Sequence, residues 1–148
     1  MNMGPLRSLV FLVSALLLAL TGCGSMREVP MTSQYTDAQL FAQVADLDGV
    51  VSADLSYRNI FGSANGYVGR IVVAEEDRAL LLLDHTYAIL RQGHRNATIN
   101  VDVLVKPTGN IFDDYDLLGS DPAARLEDRY GPQPGDGTPP SVPPSPRA

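Results

Sequence analysis

An apolar run near the start of the chain limits the fold more than any other feature, because it removes the first 22 residues from any folded domain. Residues 9–20 contain only one polar residue, Ser14, and Arg7 precedes them as a short positive region. A helix that spans a bilayer needs about 20 apolar residues, so a run of this length is typical of the core of a signal peptide. The sequence therefore predicts a signal peptide over residues 1–22.

The end of this run carries the only cysteine of the chain. Residues 20–23 read Leu-Thr-Gly-Cys, which resembles the lipobox of bacterial lipoproteins at all four positions. The resemblance implies cleavage after Gly22, with diacylglycerol on Cys23 holding the protein on the outward face of a cell membrane. Two or more acyl chains give stable anchoring where one gives only marginal binding. A secretory signal with a chance cysteine and an uncleaved anchor are the alternatives.

Neither end of the remaining chain has the apolar pattern of a core. Residues 23–35 form the predicted lipid-bearing tether, whose flexible part would reach about 20 Å from the bilayer. Residues 132–148 are rich in proline, which favours polyproline II or disorder over packed structure. We expect a disordered tail there, although its PxxP-like spacing would also suit an aromatic groove on a partner.

Residues 36–131 remain for one globular domain. Thr36 and Gln39 form the capping-box pattern that begins a helix, and Gly49 ends it. A second helix is predicted to begin at a group of acidic residues, because they suit the positive end of the helix dipole. It ends near Gly93. Three strands are predicted from alternating or β-branched residues, at residues 50–57, 67–74 and 98–106.

The fold class that follows is α+β, with element order αββαβ. We expect a small antiparallel sheet of three strands with two helices on one face. Residues 111–118 fit either a fourth strand or a loop. A short C-terminal helix is predicted at residues 123–130, with Asp121 as its cap, Pro122 in its first turn and Gly131 at its end.

Part of this pattern resembles the BON domain of bacterial envelope proteins and part of a ferredoxin-like fold. The matching pieces are residues 47–50 (Leu-Asp-Gly-Val), the strand at 66–73, the helix at 77–92 and the strand at 98–105. The resemblance implies a role in envelope integrity, or in binding a membrane or a partner, without catalysis. It assigns no functional residues.

Composition and charge argue against several classes of function. The formal net charge is −6 and Lys106 is the only lysine, which is a poor match for the basic surface of a nucleic-acid-binding protein. The only histidines are His85 and His94. Asp84 and His85 are adjacent on a helix and point about 100° apart, so they do not form a catalytic dyad by themselves. We therefore predict no catalysis and no cofactor.

An acidic cluster is the most plausible metal site in the sequence. Asp113, Asp114 and Asp116 lie close together, and carboxylates attract hard cations such as Ca²⁺. The following residues do not fit an EF-hand, so the alternatives are another kind of calcium loop and a solvated acidic turn.

Two surfaces are candidates for contact with a partner. The outward positions of the strands are polar and predict an uncovered sheet face, on which Asp54, Arg70 and Asp102 are the main candidate contact residues; a merely hydrated face is the alternative. Ile60 and Phe61 form a candidate apolar loop tip. Leu80 and Leu81 widen the apolar stripe of the second helix, which predicts a third element or a subunit interface against it.

The leading prediction is a membrane-tethered, non-catalytic module that binds a protein partner in the cell envelope and could form homo-oligomers. An extracytoplasmic sensor of a ligand or of Ca²⁺, using the acidic cluster, is the first alternative. An enzyme of unrecognised type is the second, and it would require His85 or His94 to lie about 3 Å from a carboxylate or hydroxyl.

Overall fold

The computed structural model describes residues 34–59 and 65–144. Cys23, the predicted signal peptide, and the loop residues Ile60 and Phe61 lie outside the described residues. The elements in chain order are α1 (Asp37–Ala45), β1 (Val50–Arg58), β2 (Gly66–Val73), a 3₁₀ turn (Glu76–Arg78), α2 (Ala79–Leu90), β3 (Thr98–Val105), β4 (Ile111–Phe112), α3 (Asp114–Leu118) and α4 (Pro122–Tyr130).

Helix α1 begins where its capping box predicts. The Thr36 hydroxyl accepts from the Gln39 amide N–H at 3.3 Å, and the Gln39 side chain accepts from the Thr36 N–H at 2.8 Å. Both bonds satisfy backbone donors that the first turn leaves without intrahelical acceptors. Leu40 and Val44 are buried against the sheet. The helix ends at Ala45, and Gly49, with φ of 99°, turns the chain into β1 in a conformation that glycine adopts without strain.

The four strands form one mixed sheet in the order β1-β2-β3-β4. Strands β1 and β2 are antiparallel, β2 and β3 are parallel, and β3 and β4 are antiparallel. The α+β class is confirmed and the first five helices and strands follow the order αββαβ, but β4 and α3 come before the C-terminal helix, and the prediction of an antiparallel sheet is wrong for β2 and β3. Helix α2 connects these two strands as a crossover, and a crossover returns the chain in the same direction.

The undecided segment at residues 111–118 contains both a strand and a helix. Ile111 and Phe112 pair with Leu104 and Val103. The next five residues form α3, so the fourth strand exists but has only two residues.

Helices α1 and α2 cover one face of the sheet, as predicted. They share one apolar core with the odd-numbered residues of β2 and β3, including Tyr67, Ile71, Val101 and Val103. The second helix is buried on nearly every side, since only Leu81 and His85 of its twelve residues remain partly exposed.

The outer side of α2 is covered by the C-terminal part of the chain. Helix α4 has the predicted cap, because Asp121 accepts from the Ala124 N–H at 3.4 Å. Beyond α4, the Gly135 N–H donates to the Arg91 carbonyl at 2.8 Å. The segment for which the sequence predicts a disordered tail therefore makes specific contacts with α2 in its described part, residues 132–144.

Candidate functional site

The second face of the sheet carries the predicted contact residues. Even-numbered residues of β1, β2 and β3 point away from the helices, because successive side chains in a strand alternate between faces. We call this surface the open face; its nine members are Ser52, Asp54, Ser56, Val68, Arg70, Val72, Asn100, Asp102 and Leu104. None of the nine is buried by any part of the chain that the structure describes.

The centre of the open face is a row of three charged residues. Asp54 is opposite Arg70, and Arg70 is opposite Asp102. Arg70 donates to both carboxylate oxygens of Asp102, from Nε at 2.5 Å and from Nη2 at 2.7 Å. These hydrogen bonds raise the pKa of Arg70 above its ordinary value. The row thus brings together the three charged residues that sequence reasoning selected.

Asp54 differs from Asp102 in having no partner. Asp54 is exposed, and its side chain makes no hydrogen bond or ion pair with any described residue. Because Arg70 makes two hydrogen bonds with Asp102, the row has one carboxylate left over. A cationic group of another molecule can reach that carboxylate without breaking a bond inside the protein.

One end of the open face is apolar. Val72 and Leu104 are neighbours in the register, and Leu104 is opposite Ile111 of β4. The Ile111 side chain is 52% exposed, which leaves an apolar edge beside the charged row. Sequence reasoning selected only the polar members of the face; the same alternation, followed through every even position, would have added Val68, Val72 and Leu104.

A second cluster joins an aspartate to a histidine. His94 Nε2 lies 3.3 Å from Asp37 Oδ1, and the imidazole stacks on Tyr57 with ring centroids 4.0 Å apart. The Tyr67 hydroxyl donates to Asp37 at 3.0 Å and accepts from the His94 N–H at 3.1 Å. Nothing in the sequence around His94 indicates these contacts.

This cluster has two members of a catalytic triad but not the third. Among the described residues, no serine, threonine or cysteine side chain is hydrogen-bonded to His94. Tyr67 is fully buried, and burial raises its pKa above the ordinary value, which makes it a poor proton donor. What the cluster does in the fold is hold the start of α1 against the turn that precedes β3.

The acidic cluster is part of a helix cap. Asp113 accepts from the N–H groups of Tyr115 and Asp116, at 2.9 and 3.3 Å, and Asp116 accepts from the Asp113 N–H at 3.0 Å. Burial is the main cause of a raised pKa at Asp114. In the part of the chain that the structure describes, no group of three carboxylate, His or Cys side chains is placed to hold a metal ion. The structure gives the predicted calcium loop no support.

A buried ion pair that sequence reasoning missed fastens α4 to α2. Asp84 is 1% exposed and accepts from Arg129 Nε at 2.8 Å and Nη2 at 2.7 Å. The Tyr130 hydroxyl donates to the same carboxylate at 2.6 Å. These bonds raise the pKa of Arg129, and burial raises that of Tyr130. The available signal was a single charged residue within the apolar sequence of α2.

A cleft near the end of α2 is lined by Arg91, Arg95 and Gln133, among others. Arg91 Nε and Gln133 Nε2 have no hydrogen-bond partner among the described residues, but both atoms are shut off from solvent. They therefore do not present donors to a ligand in the cleft.

Comparison with known proteins adds no family to this geometry. The chain matches no protein-family model, and no curated protein or solved structure is similar to it. Within residues 34–59 and 65–144, no helix is both long enough and apolar enough to cross a membrane. The resemblances to lipoproteins and to BON domains stay predictions.

Proposed function

We propose that this chain is a lipoprotein of the cell envelope, anchored through diacylglycerol on Cys23, and that its α+β domain binds a protein partner through the open face. The proposal assigns no catalysis to the domain. The lipobox-like sequence at residues 20–23 supports the anchor, and the single structural observation that supports binding is the uncovered face with the unpaired carboxylate of Asp54.

The open face combines a charged row with an adjacent apolar edge. The charged row would set the orientation of a bound partner. Asp54 attracts a cationic side chain, whereas Arg70 and Asp102 already bind each other. Val72, Leu104 and Ile111 offer adjacent apolar area. A partner that matches both parts would carry an arginine or lysine next to an apolar strip.

The size of the face indicates a weak contact that the membrane anchor strengthens. Three rows of facing residues on β1, β2 and β3 cover about 13 Å by 10 Å between Cα positions. This area is much smaller than the roughly 800 Å² that each partner buries in a standard interface. Anchoring both partners in one membrane raises their effective concentration. Anchor and open face would then act together.

Substitution of Asn100 by arginine tests the open face. Asn100 is exposed on β3, so Asn100→Arg adds a bulky cation to the face without removing an internal contact. Ala42→Arg, at an exposed position of α1 in the helical layer, is the matched control. Chemical crosslinking of the tagged full chain in cell membranes should give a partner adduct that falls about tenfold with Asn100→Arg and is unchanged with Ala42→Arg. Equal adducts from both variants would contradict the proposal.

Lipid attachment at Cys23 is tested separately. Mass spectrometry of the full chain recovered from cells should show a polypeptide that begins at Cys23 and carries the mass of the acyl groups. Cys23→Ala should move the protein out of the membrane fraction. An unmodified thiol on the recovered protein would refute the anchor, whatever the result for the open face.

A further inference from the structure

Strand β1 is an uncovered edge of the sheet. It is nine residues long and pairs only with β2 among the elements that the structure describes. Its irregularity lies at its start, between Val50 and Ser52, so residues 52–58 are regular. Natural proteins usually protect such an edge with lysine, proline, a bulge or a covering segment, and residues 52–58 contain neither lysine nor proline. The edge is therefore available for pairing with another strand.

The charges on this edge are self-complementary. Asp54 of the open face and Arg58, four residues further along β1 on the same side of the sheet, are both exposed. Like that of Asp54, the side chain of Arg58 makes no hydrogen bond or ion pair with any described residue. In an antiparallel pair of two β1 strands, a two-fold axis at Ser56 places each Asp54 opposite an Arg58. An axis at Asp54 would instead place two carboxylates opposite each other, which is destabilising.

The geometry points to a second copy of this chain as the partner of β1. We propose that two copies pair antiparallel through β1 about a two-fold axis at Ser56, with Asp54 of each facing the partner's Arg58. On the helical side of the sheet, the half-buried Leu55 then faces the partner's Tyr57, so two largely apolar side chains meet across the pair. The two sheets become one, and the two open faces become one surface. This pairing does not depend on the anchor, but it occupies Asp54, so a cationic side chain of another protein would compete with Arg58 for that carboxylate.

Disulfide formation between engineered cysteines tests the register. In the full chain, Ser56→Cys places its two copies opposite each other at a Cα separation of about 4.5–5.5 Å, which suits a disulfide. Ser52→Cys is the matched control, since it lies on the same strand and face but its two copies are eight positions apart, about 27 Å. Under mild oxidation, the Ser56→Cys chain should give at least tenfold more covalent dimer on a non-reducing gel. The unsubstituted chain measures any background through Cys23.

Charge exchange tests the complementarity. In the Ser56→Cys chain, Asp54→Arg or Arg58→Asp alone places like charges opposite each other and should lower the dimer yield about fivefold. The two changes together restore opposite charges and should return the yield to within twofold. Equal yields from the two cysteine positions, a disulfide to a different protein instead of a dimer, or a double variant as impaired as the single ones would each overturn the proposal. The comparison of the two cysteine positions needs no charge change, so it stays decisive even if a charge variant fails to fold.

Discussion

At the scale of single residues, the fold depends on a carboxylate buried in an apolar helix. Asp84 has three hydrogen bonds from Arg129 and Tyr130, which offset the cost of removing its charge from water. A buried ion pair contributes little net stability when it is intact, but the loss of one partner leaves the other uncompensated. The attachment of α4 to α2 is therefore sensitive to any change at this position.

We expect Asp84→Ala to destabilise the domain by about 3–5 kcal/mol, because Arg129 is then left partly buried without a counter-charge. Asp46→Ala is the control, since Asp46 is exposed and a surface change of this kind alters stability by about 0.5 kcal/mol or less. Urea unfolding of both variants measures the difference. Equal midpoints would show that the pair does not hold α4 in place.

The residue scale also shows where sequence reasoning stops. Alternation places Asp54, Arg70 and Asp102 on one face of the sheet, because the side-chain period of a strand is two. It does not show that they share a row, since the row depends on the register between strands. The contacts of Asp84 with Arg129 and of Asp37 with His94 join residues far apart in the chain, and no local pattern indicates them.

At the scale of elements, local signals located the helices and strands but not every pairing. Capping residues mark the starts of α1 and α4, and alternation marks β3 along its full length. The direction of β3 relative to β2 depends on how α2 packs across the sheet, which is a tertiary property. The two-residue strand β4 and the one-turn helix α3 are too short for periodicity to distinguish them from a loop.

The pairing of β1 with β2 depends on one glycine. Gly69 has φ of 147°, and a Cβ at this position would clash with the backbone carbonyl of Asp54. We expect Gly69→Ala to cost at least about 2 kcal/mol, because the two strands must move apart or the backbone must strain. Gly135→Ala is the control, since its Cβ meets Arg91 only at ordinary contact distance, 3.6 Å. Thermal unfolding followed by circular dichroism compares them, and similar midpoints would contradict this account.

At the scale of the whole molecule, the C-terminal segment closes over the second helix. Besides the bond from Gly135, the Asn96 N–H donates to the Gln133 side chain at 2.9 Å, and Arg129 donates to the Val142 carbonyl at 3.1 Å. Proline lowers the entropy that an unfolded chain loses on folding. In its described part, the proline-rich segment thus has polar contacts with α4 and with the turn that follows α2.

Truncation after Gly131 should therefore lower the stability of the domain. The loss of these three hydrogen bonds, together worth about 1.5–4.5 kcal/mol, is expected to lower the thermal midpoint by about 6–18 °C, at roughly 4 °C per kcal/mol in a domain of about 100 residues. Truncation after Pro144 keeps all of these bonds and is the control. If both truncations leave the midpoint unchanged, the segment does not contribute to the stability of the domain.

The position of Arg129 has a consequence for the order in which the domain is completed. Until the ribosome has added this residue, the carboxylate of Asp84 has no counter-ion, and α2 cannot be enclosed without burying a lone charge. Synthesis must therefore reach Arg129 before α2 can be enclosed with its charge compensated. For the export that we propose, late closure is an advantage, because an open chain passes through a membrane pore more easily than a closed domain.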